Sequence, residues 1–400
     1  MTFQTFTGIQ YLQIDIASNF GLDKDDWQPR LDWFQQNEHQ LESLVNQAEE
    51  PALFYAGVKA YRDVQAGKPI GYMISLDATS SGLQILAALT GDRSAAELCN
   101  VVDTGHRMDA YTEIHGAIIQ QAGMGAGITR TQAKNAIMTS LYNSTAVPRR
   151  VFGDLLPLYI ETMETLAPAA WELNQTMPQF WDSTALSHDW VMPDNFHVRT
   201  KVMDTVKETV HIMGDPFEVT YKVNQPTESG LSLGANMTHS IDGMIVREIT
   251  ARCDFDPAKI QKLYDNLGQS HLFGNDTVTD DDKLVVALWD HYTKSGYLSA
   301  RILDHLNLDN LGHVDAAVID ELLTTLPEKP FKVVSVHDCF RCLPHYGDDL
   351  RWQYNLQLAM IASSNLLQYL LTQITGQQIT IEKLDPDLWE DVVHTNYALS

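Results

Sequence analysis

GYMISLDATSSGLQ, residues 71–84, is an apolar run that ends on Asp77 and passes directly into small hydroxylated residues and then an apolar helix pattern. Far downstream, KVVSVHDCF (332–340) repeats the theme: an apolar run closed by His337-Asp338. Residues 70–77 read as a strand entered from a Lys68-Pro69 turn. Thr79, Ser80 and Ser81 offer N-caps to a helix with Leu83, Leu86 and Leu89 on its apolar face, closed by Gly91-Asp92. Residues 331–343 read as a β-hairpin with His337-Asp338 at its turn. Neither aspartate is placed for a core. Two carboxylates at strand ends suit a hard divalent ion that takes oxygen ligands and leaves room for phosphate. Each aspartate alone equally fits a helix or turn cap.

Between them lies ITRTQAKNAIMTSLYNS (128–144), which reads as one helix. At about 100° per residue, Arg130 and Lys134 fall about 40° apart, and Tyr142 lies about 80° round from Lys134 at the helix end. Two cations on one face attract a polyphosphate, and a terminal tyrosine can stack on a base or sugar. A surface helix with snorkelling basic side chains gives the same pattern.

Around these segments, residues 1–60 and 106–180 read as mostly helical, with Pro51 interrupting the first run. Residues 189–225 alternate as a small sheet with turns at Pro193-Asp194 and Gly214-Asp215-Pro216. About 80 helical, acidic residues follow Asp242-Gly243, with a solvated loop at 274–283. A long helix covers Leu356–Thr375. Trp27, Trp33, Trp181, Trp190 and Trp352 are expected in the core. Cys339-x-x-Cys342 is weak as a zinc or redox motif, because strand alternation puts the two thiols on opposite faces.

The 400 residues suffice for more than one domain, and 44% apolar with 20% charged residues is ordinary for a globular chain. No apolar run approaches the ~18 residues of a membrane span. MTFQTFTGIQ is not a signal peptide, and four cysteines suggest no disulfide framework. A reducing, intracellular setting is expected. The net charge of −25 is unusual for a chain that grips phosphate, so any positive site must be local or supplied by a partner.

Taken together, these segments resemble the phage-type single-subunit RNA polymerases, the family that includes the mitochondrial enzymes. The family's first acidic motif is similar to Asp77–Gly82, its Arg-x3-Lys-x7-Tyr motif to Arg130, Lys134 and Tyr142, its His-Ser-x-Asp segment to His239, Ser240 and Asp242, and its His-Asp hairpin to His337-Asp338. EEPALFYAGV (49–58), Met138-Thr139, HDWVMPDNF (188–196) and Asn396-Tyr397-Ala398 are smaller echoes.

The resemblance implies an α+β, mainly helical fold: a right-hand palm and fingers like those of family-A polymerases, with the thumb and N-terminal domain absent from this chain. Palm would come from 1–105 and 326–400, fingers from 106–239, a return to palm from 240–253, and an acidic helical insertion from 254–325. It implies DNA-dependent RNA synthesis with two Mg²⁺ held by Asp77, the Ala78 carbonyl and Asp338. Arg130 and Lys134 would bind the triphosphate, Lys134 and Tyr142 would serve catalysis, and Tyr142 and His239 would recognise the ribose. DNA template, RNA transcript and ribonucleoside triphosphates are the implied partners, in the cytoplasm of an infected bacterium.

Departures shape the rest. Asn143 stands where the family has glycine, and asparagine tolerates left-handed backbone. The segment matching the promoter-reading loop, VTYKVNQPTESG (219–230), is short. The chain resembles the larger subunit of split, heterodimeric phage enzymes. A smaller, basic second subunit would supply the thumb and N-terminal elements, with an accessory factor for template loading. The rival readings are a family-A DNA polymerase, which would carry glutamate where Cys339 stands, and an inactive polymerase-like scaffold.

Overall fold

The computed structural model describes all residues except 1, 124–126, 229, 231, 269–277 and 281. Among the described residues helices dominate, and three small sheets punctuate them. Strand β1 (Ile74–Asp77) pairs antiparallel with a distant hairpin, and β2 (Ser187–Val191) and β3 (His197–Lys201) form one two-stranded ribbon. A second ribbon is made by β4 (Met203–Ile212) and β5 (Asp215–Asn224), while β6 (Val334–Val336) and β7 (Cys339–Cys342) form the hairpin that meets β1. Strand β7 is central, in the order β1-β7-β6. Its register sets Asp77 opposite Cys339 and Ile74 opposite Cys342.

The outer edge of β1 is also occupied. The Ser400 N–H donates to the Asp77 carbonyl at 2.9 Å, the Thr79 N–H donates to the Ala398 carbonyl at 3.2 Å, and Ala78 bridges Leu399. Strand β1 is therefore clamped between the hairpin and residues 398–400.

The helix after β1, Ser81–Thr90, is buried on every side and not on one face alone. Its one amide, Gln84, is fully satisfied. Nε2 donates to Thr79 Oγ1, the Cys99 carbonyl and the Ala398 carbonyl at 2.9–3.0 Å, and Oε1 accepts from Tyr354 Oη at 2.7 Å. Gly91 (φ 67°) ends the helix in the left-handed conformation, and Asp92 caps the next one by accepting from Ala95 N–H. At the N-terminus of the Ser81–Thr90 helix the expected side-chain cap is missing, because Ser80 Oγ turns to Tyr111 Oη (3.2 Å) and Thr79 Oγ1 donates to the Cys99 carbonyl.

Several other expectations need correction. The predicted C-terminal helix is two helices, Gly347–Ser363 and Leu366–Thr375, broken at Ser364-Asn365 where Asn365 N–H donates to the Ser295 carbonyl. The helix expected after Asp242-Gly243 begins earlier and is continuous over Ser232–Cys253, packed on Ser81–Thr90 and Gly347–Ser363. The alternating segment 189–225 is two separate ribbons, not one sheet. The first half of the segment expected to be a short loop, 219–224, is the end of β5, one arm of a long ribbon turning at Met213-Gly214, both with positive φ. Pro51, read as an interruption, opens the Pro51–Gln65 helix. Trp27 and Trp190 are buried, whereas Trp33, Trp181 and Trp352 are half-buried.

Most of the chain shares one core, from Tyr11 to Leu399. The Pro257–Leu267, Lys283–Ser295, Ile302–His305 and Ala316–Thr324 helices bury a second cluster of their own, including Leu263, Leu288, Ile302 and Ile319. Of the acidic loop expected at 274–283, positions 274–277 and 281 lie outside the described residues. No helix among the described residues is long and apolar enough to cross a membrane.

Candidate active site

The end of β1 and the β6–β7 turn bring the two predicted aspartates together. The Ala78 N–H donates to the Asp338 carbonyl at 3.1 Å. His337 starts the turn with φ 56°, uncommon for a side-chain-bearing residue. Asp77 keeps an exposed side chain, yet the protein packed around it, aided by the Asp338 charge, holds its carboxyl above the usual range, against a hydrogen bond from the Cys339 thiol and the charge of Arg341. Cys339 is therefore a neighbour of Asp77 through its thiol. Cys339 and Cys342 are free thiols on opposite faces, as strand alternation predicts.

A third carboxyl lies near Asp338. Asp242 comes from the Ser232–Cys253 helix, and burial plus the Asp338 charge push it up to about 6, with His337 opposing. His239, one turn earlier, is exposed, and its ring lies 4.7 Å from that of Tyr142 with a 32° tilt. Ser240 anchors the helix to β2 by accepting from Trp190 Nε1 at 3.2 Å.

Tyr142 does not lie on the helix that carries Arg130. That helix runs Arg130–Ser140, and Tyr142 follows it in a turn. Asn143 has φ 61°, the left-handed backbone expected of it, and its Nδ2 donates to the Asn174 carbonyl at 2.6 Å. The turn aims Tyr142 at the start of the Ser81–Thr90 helix, where its hydroxyl meets Ser81. A Cβ at Gly82 would sit 3.0 Å from Tyr142 Oη, so glycine there makes the approach possible. Burial first, then the Asp242 charge, pushes the phenol up to about 12, so it stays a neutral hydrogen-bonding group.

The two basic residues differ. Lys134 is exposed, makes no ion pair among the described residues, and holds Nζ 5.5 Å from the Tyr111 ring centre. Tyr111 reaches Ser80 beside Asp77. Arg130 pairs with Asp109 and donates through Nε to Thr112 Oγ1 at 2.6 Å. Asp109 caps the Ala110–Ala122 helix; burial raises its carboxyl, but Thr112 and Arg130 outweigh this and hold it low. Arg130 is thus committed to a neighbouring helix end, while Lys134 is the available cation.

Sequence reasoning gave no role to Tyr111, Asp109, Asp242, Cys339 or Arg341. Asp242 stood inside the His-Ser-x-Asp segment, and Cys339 and Arg341 inside the Cys339-x-x-Cys342 stretch, but none was read as part of the site. These residues acquire neighbours through strand register and helix packing, which no local spacing encodes.

Among the described residues no three His, Cys, Asp or Glu side chains form a ready metal cluster. The Asp77–Asp338 pair nonetheless fits a hard divalent ion. Both donors are carboxylates, neither has an ion-pair partner among the described residues, and the Asp338 charge raises the cost of ionising Asp77. Remaining ligands would come from Ala78, water and phosphate oxygens.

A chain with a carboxylate pair on a small sheet, flanked by a cation-bearing helix in a mainly helical body, is consistent with a nucleic-acid polymerase domain. Residues 4–152 match the family model of DNA-dependent RNA polymerase. The chain is 21% identical over 326 residues to the DNA-directed RNA polymerase of Pseudomonas phage phiKMV, covering 65% of this chain and 40% of that protein. It is 31% identical over 180 residues to a probable DNA-directed RNA polymerase of Neurospora crassa, covering 39% of this chain and 20% of the relative. With the mitochondrial DNA-directed RNA polymerase of the same fungus it shares 28% identity over 171 residues, or 36% and 12% of the two chains. These similarities support a relation to the phage-type RNA polymerases. The chain spans 40% or less of the length of these relatives.

Proposed function

We propose that this chain is the catalytic part of a DNA-directed RNA polymerase, transferring nucleoside monophosphate from a ribonucleoside triphosphate to an RNA 3′-OH on a DNA template. The observation that carries this reading is the meeting of Asp77 and Asp338 with Tyr142 and His239. In this reading β1, β6, β7 and their flanking helices form the palm, and residues 106–239 form the fingers.

Asp77, Asp338 and the Ala78 carbonyl would hold magnesium, which when bound lowers the pKa of the attacking hydroxyl and neutralises charge on the phosphates. Lys134 attracts the triphosphate and counters charge on the departing pyrophosphate. Arg130 contributes either by exchanging Asp109 for phosphate or by fixing the helix that carries Lys134. Tyr142 and His239 bracket the sugar, and a neutral imidazole can exchange a hydrogen bond with a 2′-hydroxyl. The 3′-oxygen then attacks the α-phosphorus as the bond to the β-phosphate oxygen breaks, with positioning supplied by these side chains.

The acidic net charge favours a smaller, more basic second subunit that helps hold the nucleic acid, with an accessory factor for template loading. The phage relative favours action in an infected bacterial cell.

The test is extension of an RNA primer on a DNA template with Mg²⁺ and either ribo- or deoxyribonucleotides, using the chain with its copurifying partner. Ribonucleotide incorporation that falls at least about 100-fold in Asp77→Asn and Asp338→Asn supports the reading. Preference for deoxynucleotides makes it a DNA polymerase, and undiminished synthesis by Asp338→Asn makes the chain a scaffold.

A further inference from the structure

The β4–β5 ribbon has two unlike faces. Residues paired across an antiparallel ladder share a face. The register therefore gathers Val210, Ile212, Phe217, Val219 and Tyr221 on one side, and Lys207, His211, Glu218 and Lys222 on the other. Side-chain contacts agree. Tyr221 Oη donates to Glu208 at 3.2 Å across the apolar face, and Lys207 Nζ meets Glu218 at 3.0 Å across the polar one.

The five apolar side chains are 38–54% exposed, and Met213 at the tip is fully so. A lone two-stranded ribbon is marginal in water, and an exposed apolar patch of this kind marks an interaction surface.

Charge decides what covers it. The ionisable groups on the apolar face are the carboxylates Asp204, Glu208 and Asp215 and the Tyr221 phenol; the ribbon's lysines and histidine all lie on the opposite face. Nucleic-acid phosphates would be repelled by such a face. A second copy of the chain would set carboxylates against carboxylates. The complement is a polypeptide with an apolar patch edged by lysine and arginine.

We propose that the apolar face of the β4–β5 ribbon is the docking surface for a second, different polypeptide with a basic-rimmed apolar patch. This rests on the reading above that another chain completes the polymerase, and it specifies where that chain is held.

The full chain, coexpressed with the neighbouring reading frames of its own genome, should yield a stable complex whose partner is identified by mass spectrometry and then produced separately. Titration calorimetry should show Val219→Lys weakening that complex at least about tenfold. Replacing residues 205–222 with a short glycine linker should abolish it, with an unchanged melting temperature showing that the body still folds. Lys222→Glu, on the other face, should leave affinity within about twofold, and amide exchange should show protection of β4 and β5 in the complex. Wild-type affinity in both Val219→Lys and the ribbonless chain overturns the proposal. So does self-association through the ribbon in the ultracentrifuge, or binding of a short random-sequence DNA duplex that Val219→Lys strengthens and the ribbon deletion removes. Ribbon-dependent docking without nucleotide incorporation would keep this proposal and reject the polymerase reading.

Discussion

Ala78 donates its backbone N–H to the carbonyl of Asp338, next to the point where Asp77 lies across from Cys339. Main-chain pairing, not side-chain attraction, thus holds two mutually repelling carboxylates together. The sheet offsets the repulsion, and a divalent cation would relieve it.

Lys134 and Arg130 should separate under alanine substitution. Lys134 is exposed and unpaired among the described residues, so Lys134→Ala should lower kcat/KM for nucleotide at least about tenfold and leave stability within about 0.5 kcal/mol. Arg130 ties the Arg130–Ser140 helix to Asp109, so Arg130→Ala should also cost about 0.5–1 kcal/mol. Steady-state kinetics and urea melts on both variants check this; equal stability loss would contradict it.

Gly82→Ala inserts a methyl group 3.0 Å from Tyr142 Oη. The tyrosine must retreat from Ser81, while alanine itself favours the helix. Apparent KM for nucleotide should rise several-fold with the melting temperature unchanged or higher. Larger substitutions at the same position should worsen KM in step with their size.

Gln84→Leu should be costly. It leaves Tyr354 Oη without its buried partner and takes one of two donors from each of the Cys99 and Ala398 carbonyls, which keep Thr79. An orphaned buried group costs about 1–3 kcal/mol, so a loss of about 2 kcal/mol is expected in chemical denaturation. Gln84→Glu should not rescue it, because a carboxylate has no donor for the two carbonyls.

His188 makes stability depend on pH. Burial lowers its pKa, opposed by Asp182 and Asp189, and its Nε2 accepts from the Asp182 N–H at 3.1 Å, which requires the neutral ring. The unfolded chain titrates this group near its ordinary value of about 6.5. Below that pH the unfolded chain holds more protons than the folded one, so stability is full above about 6.5 and declines as pH falls. His188→Gln, which keeps an acceptor, should flatten the melting temperature between about pH 7 and pH 5.

Local chemistry was legible in the sequence. The His337-Asp338 turn, the strand ending at Asp77, the left-handed Asn143 and the opposite faces of Cys339 and Cys342 all follow from turn preference and periodicity. Long-range pairings were not. Nothing near Arg130 in sequence announces Asp109, nothing near Asp77 announces Cys339, and the break at Ser364-Asn365 depends on Ser295. The second core under 257–324 was read only as acidic helix, because the charges advertise the outside of that bundle and its leucines could have joined the main core.

The clamping of β1 has a consequence for biosynthesis. Residues 77–79 acquire one neighbour from the 334–342 hairpin and the other from 398–400, both of which leave the ribosome long after β1 itself. A nascent chain halted before these segments would carry Asp77 on an unfinished strand, with nothing to set Asp338 beside it. Catalytic competence would therefore arrive late in translation, however early the surrounding helices collapse.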